Sequence, residues 1–147
     1  MNAHSLPRPR PDRPVRVLVV DDTEDTRQLY AHYLERNGFA VQVAGNGTEG
    51  VLRAIVSRPD AIVMDVSMPR VDGCEATRRL KSAAATRVIP VILLSTPHGV
   101  IEEAARAAGC DAFLSKPCLP GQLVAELHRQ VDSRRLRPRR RGRSGRP

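Results

Sequence analysis

Five short apolar runs alternate along the chain with five longer segments whose apolar residues recur every three or four positions. The first run is Val15-Arg-Val-Leu-Val-Val20. It closes on Asp21-Asp22-Thr23, which offers an N-cap to a helix reaching about Asn37-Gly38, a C-terminal stop signal. That helix is predicted to turn Leu29, Tyr30, Tyr33 and Leu34 inward on one stripe. Phe39 to Ala44 alternates as a second strand. Asn46-Gly47 then leads into a helix with Val51, Ala54 and Ile55 inward, stopped near Pro59. Ala61 to Met64 is uniformly apolar, as suits a strand buried on both faces. Pro69 and Asp72-Gly73 impose a tight loop. A helix over roughly 74–84 follows, with Ala76, Leu80, Ala83 and Ala84 as its apolar side. Val88 to Leu94 reads as the fourth strand, entered through Pro90 and closed by Ser95-Thr96-Pro97. Residues 99–108 are Ala-rich and helical, stopped by Gly109. Asp111 to Ser115 is a short fifth strand, followed by Lys116-Pro117. A last helix starts near Leu119-Pro120, with Leu123, Val124, Leu127 and Val131 toward the core.

Strand followed by helix, five times over, implies an α/β domain: a parallel sheet with helices on both faces and right-handed crossovers. The first and third runs are the most uniformly apolar and belong at the centre. The domain spans residues 15–133, and the length suits one core. Aromatics make up 3% of the chain and Trp is absent, so that core is built from Val, Ile, Leu and Ala. Residues 1–14, with four prolines and three arginines, are too polar to order themselves. Residues 134–147 form an Arg-rich C-terminal tail expected to be disordered.

Charge separates the ends from the middle. Residues 1–14 carry +2 and residues 132–147 carry +7 of the formal +8, leaving 15–131 at −1. A basic tail suits nucleic acid, anionic lipid or an acidic protein. Yet Lys81 and Lys116 are the only lysines, and such Arg, Ala and Pro usage also follows from a high-GC genome. The three cysteines, Cys74, Cys110 and Cys118, lack metal-ligand spacing and are expected to be reduced and unpaired. No apolar run approaches bilayer length and no signal-peptide core opens the chain, so a cytoplasmic protein without membrane insertion is expected.

In an open parallel sheet the C-terminal strand ends share one edge, where ligands bind. Here that edge carries Asp21, Asp22, Asp65, Ser95 and Lys116. Each has a bland reading: Asp21-Asp22 as helix cap, Asp65 and Ser95 as turn residues, Lys116 as a solvated surface cation. Singly, each bland reading is the commoner one; at four qualifying strand ends together they are not. Clustered carboxylates require a compensating cation, and an oxygen-only ligand set suits Mg²⁺ rather than zinc. Lys116 can neutralise a carboxylate or bind an added anion, and Ser95 offers a hydroxyl donor from the opposite side. Together these parts describe a phosphoryl site with Asp65 as nucleophile.

Val19-Val20-Asp21-Asp22, the run Met64-Asp65-Val66-Ser67-Met68-Pro69-Arg70-Val71-Asp72-Gly73, Leu93-Leu94-Ser95-Thr96 and Ser115-Lys116-Pro117 together resemble the motif set of the response-regulator receiver domain, the partner of histidine kinases in two-component signalling. The resemblance covers about residues 15–131. It implies a flavodoxin-like (βα)5 fold with strand order 2-1-3-4-5. It implies Asp65 as phosphoacceptor from a histidine kinase or phosphotransfer protein. Mg²⁺ would be held by Asp22 and Asp65, by the Ser67 backbone carbonyl, and by Asp21 through water. Lys116 would pair with the phosphoryl group, Ser95 and Phe113 would form the switch pair, and the Lys116-Pro117 bond would be cis. Such a protein is a signalling receiver that catalyses only its own phosphorylation and dephosphorylation.

Three features depart from the pattern. Thr96-Pro97 stands where a small residue commonly follows the switch hydroxyl. Ser67 is a small side chain at a position that tunes dephosphorylation. No output domain follows within the 147 residues, so output is expected through a partner protein on the fourth helix, fifth strand and fifth helix. An alternative reading has the basic tail bind nucleic acid or an acidic partner, with a steep salt dependence lost on deleting residues 134–147. A haloacid-dehalogenase-like phosphatase would need an acid two residues after Asp65, where Ser67 stands.

Overall fold

The computed structural model of the chain describes residues 12–96 and 101–136. The expectations for residues 1–11, for Pro97 and for the tail over 137–147 lie outside the described residues. Ten elements alternate: β1 (Arg16–Val20), α1 (Glu24–Arg36), β2 (Ala40–Ala44), α2 (Gly47–Ser57), β3 (Ala61–Asp65), α3 (Gly73–Ser82), β4 (Val91–Ser95), α4 (Ile101–Ala108), β5 (Ala112–Ser115) and α5 (Pro120–Leu136). The strands form one parallel sheet in the order β2-β1-β3-β4-β5. β1 and β3 lie inside the sheet, where their unbroken apolar sequence requires them to be.

Alternation along the strands splits the core in two. Val17, Val19, Ala61, Val63, Ile92 and Leu94 face one side, with Leu34 of α1 and Leu123, Leu127 and Val131 of α5. Leu18, Val20, Ile62, Met64, Val91 and Leu93 face the other, with Ala54 of α2, Ala76 and Leu80 of α3, and Ala105 of α4. Both layers are aliphatic, as the composition requires.

Several expectations need correcting. Leu29 is 67% exposed, so the α1 stripe narrows to buried Leu34 beside half-buried Tyr30 and Tyr33. α1 sits at the rim of the sheet, and only part of its apolar face is covered. Ile55 is exposed at the end of α2, where Ala54 is the residue in contact with the core. β4 starts at Val91; Val88 is exposed before it, and the buried Ile89 and Pro90 lead in. α3 stops at Ser82, which leaves Ala83 half-buried and Ala84 exposed beyond its end. Thr23 occupies the N-cap of α1 without a side-chain bond; the Asp21 carboxylate instead accepts from the Thr23 N–H at 2.9 Å. α5 runs to Leu136, past the boundary placed at residue 133. Its late Arg134 reaches Asp60, with Nη1 3.9 Å from Oδ1 and 3.5 Å from the Asp60 carbonyl. Asp60 also accepts from the Arg16 N–H at 2.8 Å, so α5 is tied to the starts of β1 and β3.

Candidate functional site

Strand parity decides which side chains meet at the C-terminal edge. Asp21, Asp65 and Lys116 each lie an even number of residues beyond strand positions facing the α1/α5 layer. They therefore emerge on the same side. Lys116 Nζ lies 3.3 Å from Asp65 Oδ2 and 3.7 Å from Asp21 Oδ2. One oxygen each from Asp21, Asp22 and Asp65 lie within 4.8 Å of one another. Asp21 and Asp65 are buried, whereas Asp22 is exposed and its carboxylate meets no other group among the described residues.

The loop after β3 is shaped around Asp65. Asp65 Oδ1 accepts from the Ser67 N–H at 3.2 Å. The N–H groups of Met68 and Gly73 both reach the Val66 carbonyl, folding the loop back onto the strand end. Val71 N–H donates to the Pro69 carbonyl across Arg70, whose φ is +69°. The positive-φ residue of this loop is thus Arg70 rather than Gly73, and it stores strain close to Asp65. Gly73 is required for another reason. A Cβ there would lie 2.5 Å from the Asp65 carbonyl oxygen and 2.8 Å from Val66 Cα. Only glycine lets the start of α3 pack so closely against the end of β3. Asp72 caps α3, accepting from the Glu75 N–H at 2.8 Å.

Burial pushes the Asp65 carboxyl above its ordinary range; the Lys116 charge opposes this, the Asp21 charge adds to it, and the Ser67 N–H opposes it. Three clustered carboxylates face one ammonium, so the site has negative charge to spare. The donor set fits a hard divalent cation such as Mg²⁺: it is all oxygen, with one exposed carboxylate beside two buried ones. Among the described residues no N–H is bonded to the Ser67 carbonyl, which leaves that oxygen available too.

Ser95 ends β4 on the opposite parity, toward the α2–α4 layer, and is buried. Its hydroxyl donates to the Thr96 carbonyl at 3.1 Å, and its carbonyl accepts from the Lys116 N–H at 2.6 Å. Phe113 pairs with Leu93 across the sheet and packs, half-buried, on the same layer as Ser95. The Lys116-Pro117 peptide is cis. Asp21, Asp22, Asp65, Ser67, Ser95, Lys116 and Pro117, singled out from the sequence, thus stand at or beside one sheet edge, with Phe113 two strand positions short of it. Arg27 was not among them. Its Nη1 donates to the Asp21 carbonyl at 2.9 Å. An arginine in the first turn or so of the helix that follows the acidic pair was the available signal. Tyr30 also lies close enough to feel the charges of Lys116, Asp21 and Asp65; burial leads in raising its phenol.

Residues 17–128 match the family of the response regulator receiver domain. The chain is 39% identical over 115 residues to the response regulator MprA of Mycobacterium sp. (strain KMS), covering 78% of this chain and 49% of that protein. It therefore spans about half the length of the curated relatives it matches. Among solved structures, Vibrio cholerae chemotaxis protein CheY4 aligns with a TM-score of 0.74 at 31% identity, covering 79% of this chain and 98% of that one. The receiver domain of sensor histidine kinase PA1611 from Pseudomonas aeruginosa PAO1, solved with a magnesium ion coordinated in its active site cleft, aligns with a TM-score of 0.76 at 28% identity. That alignment covers 81% of this chain and 98% of that one.

Proposed function

The chain belongs to the response regulator receiver family of two-component signalling, and from that premise we propose that it accepts a phosphoryl group on Asp65 and answers by binding a partner protein. The observation that carries the reading is the convergence of Asp21, Asp22 and Asp65 with Lys116 on one sheet edge.

In this reading an Asp65 carboxylate oxygen attacks the phosphorus of a phosphohistidine on a histidine kinase or phosphotransfer protein. The P–N bond breaks, its electron pair stays on the imidazole nitrogen, and a P–O bond to Asp65 forms. Lys116, 3.3 Å from Asp65 Oδ2, is placed to follow the charge from the carboxylate onto the phosphoryl oxygens. The Ser67 N–H, already on Asp65 Oδ1, holds the carboxylate at a fixed angle. Asp21, Asp22, Asp65 and the Ser67 carbonyl would hold Mg²⁺, which when bound supplies positive charge for the phosphoryl oxygens. Asp21 serves from its buried position, fixed by the Thr23 N–H and balanced in part by Lys116.

The output step is a two-state shift. Among the described residues the Ser95 hydroxyl is held by the adjacent Thr96 carbonyl alone, a bond it can exchange for a phosphoryl oxygen. Phe113, half-buried on the same layer, would turn inward as Ser95 moves. Moving the population from mostly off to mostly on needs roughly 5 kcal/mol of differential stabilisation. Charge-assisted bonds from Lys116 and Ser95 are of the size to contribute to it. The surface altered would be that of α4, β5 and α5, and a downstream effector would read it.

Mg²⁺ with beryllium fluoride, a tetrahedral phosphoryl mimic that bonds to carboxylates, tests site and switch together. Amide resonances of α4, β5 and α5 shift in the wild-type chain and stay still in Asp65→Asn. Shifts restricted to residues lining the acidic cluster would retain the site and refute the switch.

A further inference from the structure

Asp21 is held from three directions. The Asp21 N–H donates to the Ala44 carbonyl at 3.1 Å, and the Asp21 side chain accepts from Thr23 N–H at 2.9 Å. The third hold comes from α1: Arg27 Nη1 donates to the Asp21 carbonyl at 2.9 Å. Because the peptide unit is planar, fixing that carbonyl also fixes the nitrogen and Cα of Asp22, the point from which its side chain departs. Asp22 needs such a hold. Its carboxylate is exposed and bonded to nothing else among the described residues, so no contact of its own aims it at the cluster.

Arg27 is itself seated. Its guanidinium lies against Gly45 in the turn between β2 and α2, where a Cβ would come within 3.2 Å of Nη1. The Gly45 N–H donates to Glu49 Oε2 at 2.9 Å, and Glu49 Oε1 pairs with Arg53 at 3.0 Å. A chain of contacts therefore runs from α2 through Glu49 and Gly45 to Arg27 and on to the Asp21 carbonyl.

We propose that Arg27 is a positioning residue, which braces the Asp21–Asp22 turn against the β2–α2 turn and so aims the Asp22 carboxylate at the cation held by the acidic cluster. The inference rests on the reading of that cluster as a Mg²⁺ site. It opposes the plain electrostatic expectation. A guanidinium beside carboxylates competes with a bound cation, so deleting it should tighten Mg²⁺ if charge dominated. A brace predicts the reverse, because losing a group that orients metal ligands commonly costs about 10–100-fold in affinity.

The test uses the whole chain with Arg27→Met, which keeps the apolar stem and removes the donor, and Arg27→Lys, which keeps a donor. Mg²⁺ is titrated calorimetrically, and amide hydrogen exchange is read without metal. The expected result for Arg27→Met is Mg²⁺ binding weaker by about tenfold or more. Exchange at the Asp21 and Thr23 amides speeds up while the buried strand amides of Val63 and Leu93 keep their protection. Arg27→Lys recovers part of both. Tighter Mg²⁺ binding in Arg27→Met would overturn the proposal and make Arg27 a competing cation. Unchanged affinity and exchange would overturn it as well. Should the wild-type chain fail to bind Mg²⁺, the cluster reading fails, and the metal-free exchange alone decides whether Arg27 braces the turn. A variant that loses protection throughout the sheet would reduce Arg27 to a folding residue and reject the proposal.

Discussion

Asp65 is the residue where folding and function pull apart. Its burial and the neighbouring Asp21 charge raise its carboxyl, and Lys116 compensates only in part. The folded chain therefore holds the Asp65 proton more tightly than the unfolded chain does. The resulting stability is fully present below the ordinary aspartate value of 3.8 and is lost as pH rises through the higher folded value. At neutral pH and without metal, ionised Asp65 costs stability. Asp65→Asn in the presence of a chelator should then melt above the wild type, with the difference shrinking as pH falls toward that range. A lower melting temperature for the variant would mean that the Lys116 pairing outweighs burial. Mg²⁺ should raise the melting temperature of the wild type more than that of the variant. The thiols follow the same physics: burial pushes Cys74, Cys110 and Cys118 up, so all three are poor nucleophiles. Alkylation by iodoacetamide at pH 7 should be slow in the native chain and become rapid only in denaturant.

At the scale of elements, the start of α3 links stability to the site. Asp72 caps the helix and Gly73 lets it approach the end of β3. Asp72→Ala should cost about 1 kcal/mol in denaturant melts. Gly73→Ala should cost more, because its Cβ meets backbone atoms of Asp65 and Val66 that cannot swing aside. It should also slow phosphoryl acceptance, whereas Asp72→Ala should leave that rate nearly intact. The sequence showed Asp72-Gly73 as turn residues, but only packing reveals which of the pair is tied to Asp65. Local patterns were legible where burial was complete, as in β1, β3 and α5. They misled at the rims. Leu29 and Ile55 fit the helical period of their elements, yet both are left exposed. Val88 fits a strand, yet Pro90 and the turn before it delay β4 to Val91.

Across the whole molecule, two aliphatic layers hold the sheet edge rigid enough to carry charge. Leu127 is fully buried between α5 and the sheet. Leu127→Ala should destabilise the fold by about 2–5 kcal/mol, read as a shift in the urea midpoint. At the opposite edge from Asp65, Lys81 Nζ bonds Asp111 at 2.8 Å and the Ile89 carbonyl at 2.9 Å, joining α3 to the starts of β4 and β5. Most of the site was readable because four of the five strand ends contribute to it, so order along the chain becomes proximity at the edge. Parity adds what order alone does not: Asp21, Asp65 and Lys116 emerge toward the α1/α5 layer and Ser95 toward the other. Arg27 escaped notice because its role depends on a backbone carbonyl, which leaves no pattern in side-chain type. Among the described residues no helix is long and apolar enough to cross a membrane.

The central claim is that Asp65 accepts the phosphoryl group with the help of its acidic neighbours. Intact mass after incubation with acetyl phosphate and Mg²⁺ tests it most directly. The wild-type chain should gain the mass of one phosphoryl group, while Asp65→Asn and a chelator-treated control gain none. An equal gain in Asp65→Asn, or in the absence of Mg²⁺, would contradict the account.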